Sequence, residues 1–336
     1  MLGDVRDQSS KFRGVAMRVI SILRRGVVIL ALGASATTAF ADEHLKIAIG
    51  APGNWDSGVT EVGRRAGIFQ KHGLDLETLF TNGGGETMQA VISGGVDIGI
   101  SAGTAATMAA YVKGAPVRIL IAGTTGAGDL FWYVTPNSAI KSFADTSGKT
   151  VAFSTNGAST HTTALALVNQ FKVTPKLIAT GASAITMTQA LTGQIDVGWA
   201  SPPFGLDAIR DGKIRVIARG SDAPSTSDQT VRVHIVNAIA LERRRETILR
   251  FVDAYRESLD YLYTTPEGLK TYADYAQIDV DLARRIRDEF MPRKAMSPDE
   301  VSGIDGITKD AIAFKVLQSP LTADQRVDLI RIPPKR

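Results

Sequence analysis

Apolar residues gather in short runs that alternate with amphipathic stretches from about residue 45 onward. Leu45–Ile49 reads as a strand, followed by a Gly/Pro loop (Gly50–Gly58) and a helix over Val59–Gln70. Basic residues close that helix before Gly73, where its dipole favours them. Leu74–Leu79 is a second strand, Gly83-Gly84-Gly85 opens a helix through Ile92, and Val96–Ser101 is a third strand. Another helix reaches Gly114, and Val117–Ala122 is a fourth strand. The series restarts with Lys149–Phe153 (strand), Ser159–Phe171 (helix) and Lys176–Thr180 (strand). Past about Leu241 the pattern turns helical, with Ile248, Phe251, Val252, Tyr255, Leu259 and Leu262 on one face of a 3.6-residue period. Strands alternating with helices at this spacing predict mainly parallel sheets covered on both faces.

One unit of this pattern occurs twice. Residues 88–101 read MQAVISGGVDIGIS and residues 187–200 read MTQALTGQIDVGWA, so that Met88, Gly94, Asp97 and Gly99 recur at Met187, Gly193, Asp196 and Gly198. The offset of 99 residues is far longer than the roughly 20–50 residues of a solenoid repeat. It suits two similar α/β lobes, and two lobes imply a cleft that receives a ligand. Asp97 and Asp196 each start a strand at the end opposite that cleft, which points to a structural turn role rather than a carboxylate pair.

The N-terminus stands outside this pattern. Arg18, Arg24 and Arg25 precede the apolar run Gly26–Gly33, and small residues lead to Ala39-Phe40-Ala41, the make-up of a secretory leader over 1–41. The mature chain is expected to begin at Asp42, with translation starting at Met1 or Met17. Removing the six Lys/Arg and two acidic residues of 1–41 from the chain's 38 and 34 leaves 32 of each, a net charge of zero. The basic excess therefore belongs to the leader and gives no support for nucleic-acid binding. With no cysteine, the chain has no disulfide, thiol nucleophile or lipid-anchored cysteine. A soluble periplasmic protein, expected to be a monomer, is the simplest reading.

In open α/β sheets ligands sit beyond the carboxyl ends of the strands. Those ends are the loops Gly50–Ser57, Thr81–Glu86, Ser101–Thr104, Thr124–Gly128, Ser154–His161 and Trp199–Pro203. Several open a helix, whose free N–H groups and positive dipole end receive anions. The candidate ligand contacts are Ser154, Asn156, Ser159 and Thr160, facing Gly85, Ser101 and Thr104 across the cleft. Asn54, Glu86, Thr125 and Ser201 complete the polar set, and Trp55 and Trp199 serve as apolar walls. The same Ser and Thr residues also suit ordinary helix capping, Glu86 also suits a helix start, and the tryptophans also suit the core. No arginine lies in any of the six loops, so a bidentate clamp on an acid is not evident. The four histidines (His44, His72, His161, His234) lack metal-ligand spacing, and Gly148-Lys149-Thr150 lacks the first glycine of a phosphate loop. Neither a metal nor a cofactor is expected. A catalytic role would need an activated nucleophile or an acid/base pair, which loops of mostly Ser, Thr, Asn and Gly do not supply.

Four phrases carry a resemblance: AGIFQKHGLDLE (Ala66–Glu77), GGGETMQAVISGGVDIGI (Gly83–Ile100), KSFADTSGKTVAFSTNGAST (Lys141–Thr160) and GQIDVGWASPP (Gly193–Pro203). Together they resemble the periplasmic solute-binding proteins of ABC importers, in the nitrate/sulfonate/taurine and thiamine-precursor (NMT1/THI5-like) group. The resemblance implies a type II periplasmic-binding-protein fold, with lobe 1 comprising 42–133 plus 238–336, lobe 2 comprising 134–237, and chain crossings near Phe131–Pro136 and Val231–Ala238. Each lobe is expected to hold a five-stranded mixed sheet. It also implies a binder, not an enzyme, that closes by hinge motion on a small organic anion and hands it to a membrane permease. An aromatic or pyrimidine-type ligand is the alternative, followed by an enzyme on the same fold. One departure is that Ser101-Ala102-Gly103-Thr104-Ala105 lacks the proline that often follows the first Asp-hydrophobic-Gly strand, whereas the second copy carries Pro202-Pro203.

Overall fold

The computed structural model describes residues 43–336; the leader reading of 1–41 lies outside them. The chain begins with β1 (Glu43–Gly50), α1 (Trp55–Arg65), α2 (Ile68–Lys71), β2 (Leu74–Thr81), α3 (Gly84–Ile92), β3 (Ile98–Gly103), α4 (Thr104–Val112) and β4 (Val117–Thr125). It continues through β5 (Phe131–Val134), β6 (Thr150–Phe153), α5 (Ser159–Phe171), β7 (Lys176–Ala179), α6 (Ser183–Leu191), β8 (Gly198–Ala200), α7 (Leu206–Arg210) and β9 (Arg215–Arg219). It ends with β10 (Thr230–Asn237), α8 (Ala238–Arg243), α9 (Arg245–Thr264), α10 (Pro266–Ala276), α11 (Val280–Arg285), α12 (Ile304–Ala313) and α13 (Ala323–Leu329). The helix expected over Val59–Gln70 starts four residues earlier and breaks at Gly67, whose φ of 74° lies in the left-handed region that glycine tolerates.

The first sheet has the order β2-β1-β3-β10-β4, with β10 antiparallel to both neighbours. The other strands form a three-stranded sheet, β8-β5-β9, and a two-stranded one, β6-β7. A second continuous five-stranded sheet is therefore not formed. β8 is only three residues long, and its link to β6 is a single parallel bridge, Val151–Val197. Read through that bridge, β7-β6-β8-β5-β9 repeats the order of the first sheet, with β5 in the place of β10. The chain passes between sheets at 126–130 and at 220–229, just ahead of the expected crossings, and so each sheet receives its antiparallel strand from a crossing.

The structure also explains the repeated aspartates. Asp97 Oδ2 accepts the Lys46 backbone N–H (3.0 Å) and pairs with Arg244 Nη1 (3.0 Å). Asp196 Oδ2 accepts the Thr150 backbone N–H (2.9 Å) and its hydroxyl (2.8 Å). Both tie a strand start to its neighbour, away from the cleft. The 99-residue offset extends to hydroxyl ties at the opposite end, where Thr81 meets Thr87 (2.7 Å) and Thr180 meets Thr186 (2.6 Å). Each tie fixes the entry from a strand into the next helix, which sets where that helix start points. One core packs Val91, Met108, Ile119, Ile235, Ile307 and Leu329 on one face of the first sheet. The other core runs from Leu45, Ile49 and Val59 past Phe251 and Tyr255 of α9 to Trp132, Val151 and Leu167 in the second layer.

Asp97→Ala leaves the Lys46 N–H and Arg244 Nη1 without their acceptor, while Arg244 Nη2 keeps the His44 carbonyl oxygen. Urea unfolding is expected to show a loss of about 1–3 kcal/mol, with ligand affinity unchanged.

Candidate ligand-binding site

The strand-end loops of both layers meet around a cavity of about 50 Å³. Its lining comes from Gly50, Ala51, Asn54 and Asp56 after β1, Asn82–Gly84 after β2, Ser101 in β3 and Leu130 in the crossing. Ser154 and Ala158–Thr160 after β6, Ala182 after β7, Trp199 in β8 and Arg232 in β10 complete it. A larger open groove of about 750 Å³, between α8–α9 and the C-terminal tail, receives none of these loops.

The residues that cap α1, α3, α5 and α6, namely Asn54, Gly83, Ala158 and Ala182, all line the cavity, and none makes a side-chain capping hydrogen bond. Side-chain caps close α8, α10, α11 and α13 (Asn237, Thr265, Asp279 and Thr322), none of which reaches the cavity; α2, α4, α7, α9 and α12 are uncapped away from it. Four uncapped helix starts directed at one space make a site suited to an anionic group. Two non-glycine residues of the lining, Ala51 (φ 53°) and Ser101 (φ 61°), hold the left-handed conformation. Such strain gathers where the surrounding structure enforces it at functional sites. At Ser101 the enforcer is His234, whose Nδ1 accepts the Ser101 N–H (3.0 Å). That bond leaves Nε2 as the protonated nitrogen, 2.7 Å from the Tyr255 hydroxyl. Complete burial, and next the charge of Arg232, pull the His234 pKa down to about 3.

Arg232 is the charged centre of the site. Its Nη2 donates to Asp129 Oδ1 (2.5 Å), and Asp129 Oδ2 accepts the Ser201 hydroxyl (2.7 Å). Its Nε lies 3.4 Å from Asp56 Oδ2 without a hydrogen bond between them. Burial works against the guanidinium's charge, but Asp129 and Asp56 outweigh it and keep it protonated. Five buried polar atoms of lining residues have no hydrogen-bond partner: Asn54 Oδ1, Ser101 Oγ, Trp199 Nε1, and the ion-paired Asp56 Oδ2 and Arg232 Nε. Buried polar groups are nearly always bonded, so their convergence makes this cavity the candidate ligand site.

Of the residues expected from sequence, Asn54, Ser101, Ser154, Ser159, Thr160 and Trp199 line the cavity. Ser154 Oγ and Thr160 Oγ1 bond each other (2.7 Å). Gly85 sits just behind, where a Cβ would lie 2.9 Å from Thr155 Oγ1 of the opposite layer. Others lie elsewhere. Trp55 is packed between Tyr263 and Tyr272, with its Nε1 donating to the Tyr263 hydroxyl (2.8 Å), so it is core rather than cleft wall. Glu86 is exposed and accepts the Asn82 N–H (3.0 Å). Thr104 donates to the Thr230 carbonyl (2.5 Å), and Thr125 meets the Thr230 hydroxyl (2.9 Å). Ser201 is committed to Asp129. Asn156 lines a separate hollow with His161, which stacks on Phe153. Asp56 and Arg232 lie outside the expected set, although TVRVHIVN puts Arg232 and His234 on one face of a strand whose interior is otherwise Val and Ile.

A family model described as NMT1/THI5 like matches residues 54–269. No curated protein sequence matches the chain. Among solved structures, the chain is similar to the alkanesulfonate-binding protein SsuA from Xanthomonas axonopodis pv. citri bound to MOPS, with 17% identity, TM-score 0.69, and coverage of 86% of this chain and 95% of that one. It is similar to the periplasmic aliphatic sulphonate binding protein SsuA from Escherichia coli, with 18% identity, TM-score 0.64, and coverage of 88% and 95%. It is also similar to the desulfurization enzyme DSZB, with 14% identity, TM-score 0.59, and coverage of 84% and 95%. The likeness shows a periplasmic-binding-protein fold. Among the described residues no helix is long and apolar enough to cross a membrane, and no cluster of three or more His, Asp or Glu is placed to hold a metal ion.

Two measurements check this assignment. Ser101→Ala removes a hydroxyl that bonds nothing within the protein, so affinity measured by titration calorimetry should fall about tenfold or more with the melting temperature retained. Asn156→Ala should leave affinity unchanged. For His234, the folded state resists a proton that the unfolded chain accepts at its ordinary pKa of 6.5. The folded state therefore binds fewer protons between pH 6.5 and about 3, and stability falls as pH falls through that window. Urea unfolding at pH 7 and pH 5 should differ by about 2 kcal/mol from this group. His234→Gln, which keeps an acceptor for Ser101, should lose that difference; an unaltered pH slope contradicts the assignment.

Proposed function

This chain belongs to the NMT1/THI5-like family, and we propose that it is the solute-binding component of an ABC-type uptake system. It captures a small solute with an anionic group, closes its two α/β lobes about the crossings, and presents the closed form to a membrane permease. Exported by the leader over 1–41, it works as a soluble protein of the periplasm. The observation that carries this reading is the set of five buried polar atoms without a hydrogen-bond partner beneath four uncapped helix starts. An aromatic or pyrimidine-type solute is the alternative, for which the Trp199 indole in the lining would supply an apolar wall. An enzyme on this fold would need a nucleophile paired with a base. Here the Ser154 and Thr160 hydroxyls bond each other, and His234 spends Nδ1 on a backbone N–H.

The lobes meet backbone to backbone. A Cβ on Gly103 would lie 2.6 Å from the Gly157 carbonyl oxygen and 3.0 Å from Ala158 Cα. The φ of Gly103 is −67°, which alanine adopts freely, so Gly103→Ala strains only the closed form.

A thermal-shift screen of alkyl sulfonates, nitrate, carboxylates and pyrimidines tests the function. A true ligand at 100 times its Kd stabilises the fold by about 2.7 kcal/mol, and mass spectrometry should recover it unchanged. A converted product would assign an enzyme instead. Small-angle scattering should show the parent contracting with ligand. Gly103→Ala should stay extended and bind at least about tenfold more weakly; equal contraction and equal affinity contradict closure through this contact.

A further inference from the structure

The loop from β6 into α5 has two lining faces. Ser154 and Ala158–Thr160 border the solute cavity, whereas Asn156, Gly157 and His161 border a second hollow of about 530 Å³. From the first layer, α3, α4 and the turn after α12 supply the rest of it. Sites for small molecules have volumes of this order, sit preferentially between domains and combine an apolar lining with a few placed polar groups. Here the floor is Met88, Ile92, Ala109, Ala110, Phe314 and Val316, all half-buried apolar side chains.

The charges around it are of one sign. Lys113 and Lys315 stand exposed at the rim, and no acidic residue lines the hollow. The lysines that form ion pairs among the described residues are others: Lys46, Lys71, Lys213, Lys270 and Lys335. A lysine at a helix end complements that end's dipole, and both stand at such ends. Lys315 is nonetheless unusual. The turn out of α4 is made by Gly114 (φ 87°), as helices commonly arrange it, but α12 puts Lys315 (φ 58°) at the corresponding place. A left-handed turn that glycine makes with less strain carries a charge instead. His161 adds a donor. Its Nδ1 accepts the Gly157 N–H (3.0 Å), so Nε2 carries the proton, and burial lowers the ring's pKa and keeps it neutral.

We propose that this hollow is a second ligand site, one that takes an amphipathic monocarboxylate: the alkyl chain lies on the apolar floor, and Lys113, Lys315 and the His161 Nε2–H hold the carboxylate. The site is whole only when the layers meet. At Gly157 a Cβ would lie 2.8 Å from Ala106 Cβ of α4, so the loop is pressed against the first layer beside the hollow. Opening the lobes parts His161 from both lysines and from the floor. A carboxylate bound here therefore favours the closed arrangement, because its contacts differ between the two states. Binding here needs no solute in the cavity, so the site stands apart from the solute-binding reading; only its link to closure shares the lobe motion proposed above.

Octanoate is the probe, with 1-octanol and butyrate as its charge-free and short-chain counterparts, in titration calorimetry on the purified protein without added solute. Octanoate should bind saturably and at least about tenfold more tightly than either counterpart. The double variant Lys113→Gln/Lys315→Gln changes two exposed side chains and should keep its melting temperature while weakening octanoate at least about tenfold. Gly103→Ala, which strains only the closed form, should weaken it at least about threefold. Small-angle scattering should show octanoate alone contracting the parent. No saturable binding, equal binding of 1-octanol, or undiminished affinity in the double lysine variant overturns the site. Octanoate that binds through the lysines yet leaves both the scattering profile and the Gly103→Ala affinity unchanged overturns the link to closure. Failure of the solute screen above, with octanoate binding and contraction intact, removes the solute-binding reading and leaves this site standing.

Discussion

The joint between Arg232 and Asp129 is the constraint on which the site depends. Arg232 stands on β10, the strand that returns from the second layer to complete the first sheet. Asp129 stands in the other crossing, and through Ser201 it holds the end of β8 in the second layer. One buried guanidinium thus connects the first sheet, a crossing and the second layer, within reach of the cavity. Breaking such a pair on one side leaves an uncompensated buried charge, a loss of about 3–5 kcal/mol. The joint therefore keeps the crossings in register while leaving Nε turned toward Asp56.

The fold was legible in sequence wherever period and repeat agreed. Alternating strands and helices, the 99-residue offset and the amphipathic face of α9 fix most of the first sheet and its covering helices. The second layer was less legible because its strands are short. β8 contributes three residues, and the link to β6 reduces to one bridge, a detail of register that no composition signal carries. The crossings lie a few residues earlier than expected because β5 and β10, read as the crossings themselves, are the strands the crossings deliver.

The cleft was legible in its loops and not in its charges. Six of the expected residues line the cavity, because strand-end loops of equivalent lobes face one another whatever their side chains. Trp55 and Asn156 lie elsewhere for local reasons. The Trp55 indole meets its hydrogen-bond partner in Tyr263 on α9, and the turn at Gly157 sends Asn156 to the outer side of its loop. Arg232 carries no loop signal because it enters from within a strand, and Asp56, although in the Gly50–Ser57 loop, reads as an ordinary acidic residue in a first helical turn. A cation and a histidine on one face of a strand with an otherwise apolar interior are the available sign.

Capping and function compete at this site for the same groups. A helix start closed by its own serine or threonine is satisfied and has little left to offer an anion. Here the helices that reach the cavity begin with Asn54, Gly83, Ala158 and Ala182, none of them closing its helix with a side chain, and every side-chain cap of the α-helices, at Asn237, Thr265, Asp279 and Thr322, lies elsewhere among the described residues. A forgone cap costs about 1 kcal/mol, and the strained backbone of Ala51 and Ser101 adds to the loss at the same place. The hydroxyls nearby are spent on ties between strand ends and helix starts, as in Ser154 with Thr160 and Thr81 with Thr87. Those ties aim the helix starts without occupying them. On the function proposed above, a solute reached by both layers at once recovers these losses in the closed arrangement, and that differential contact would drive closure.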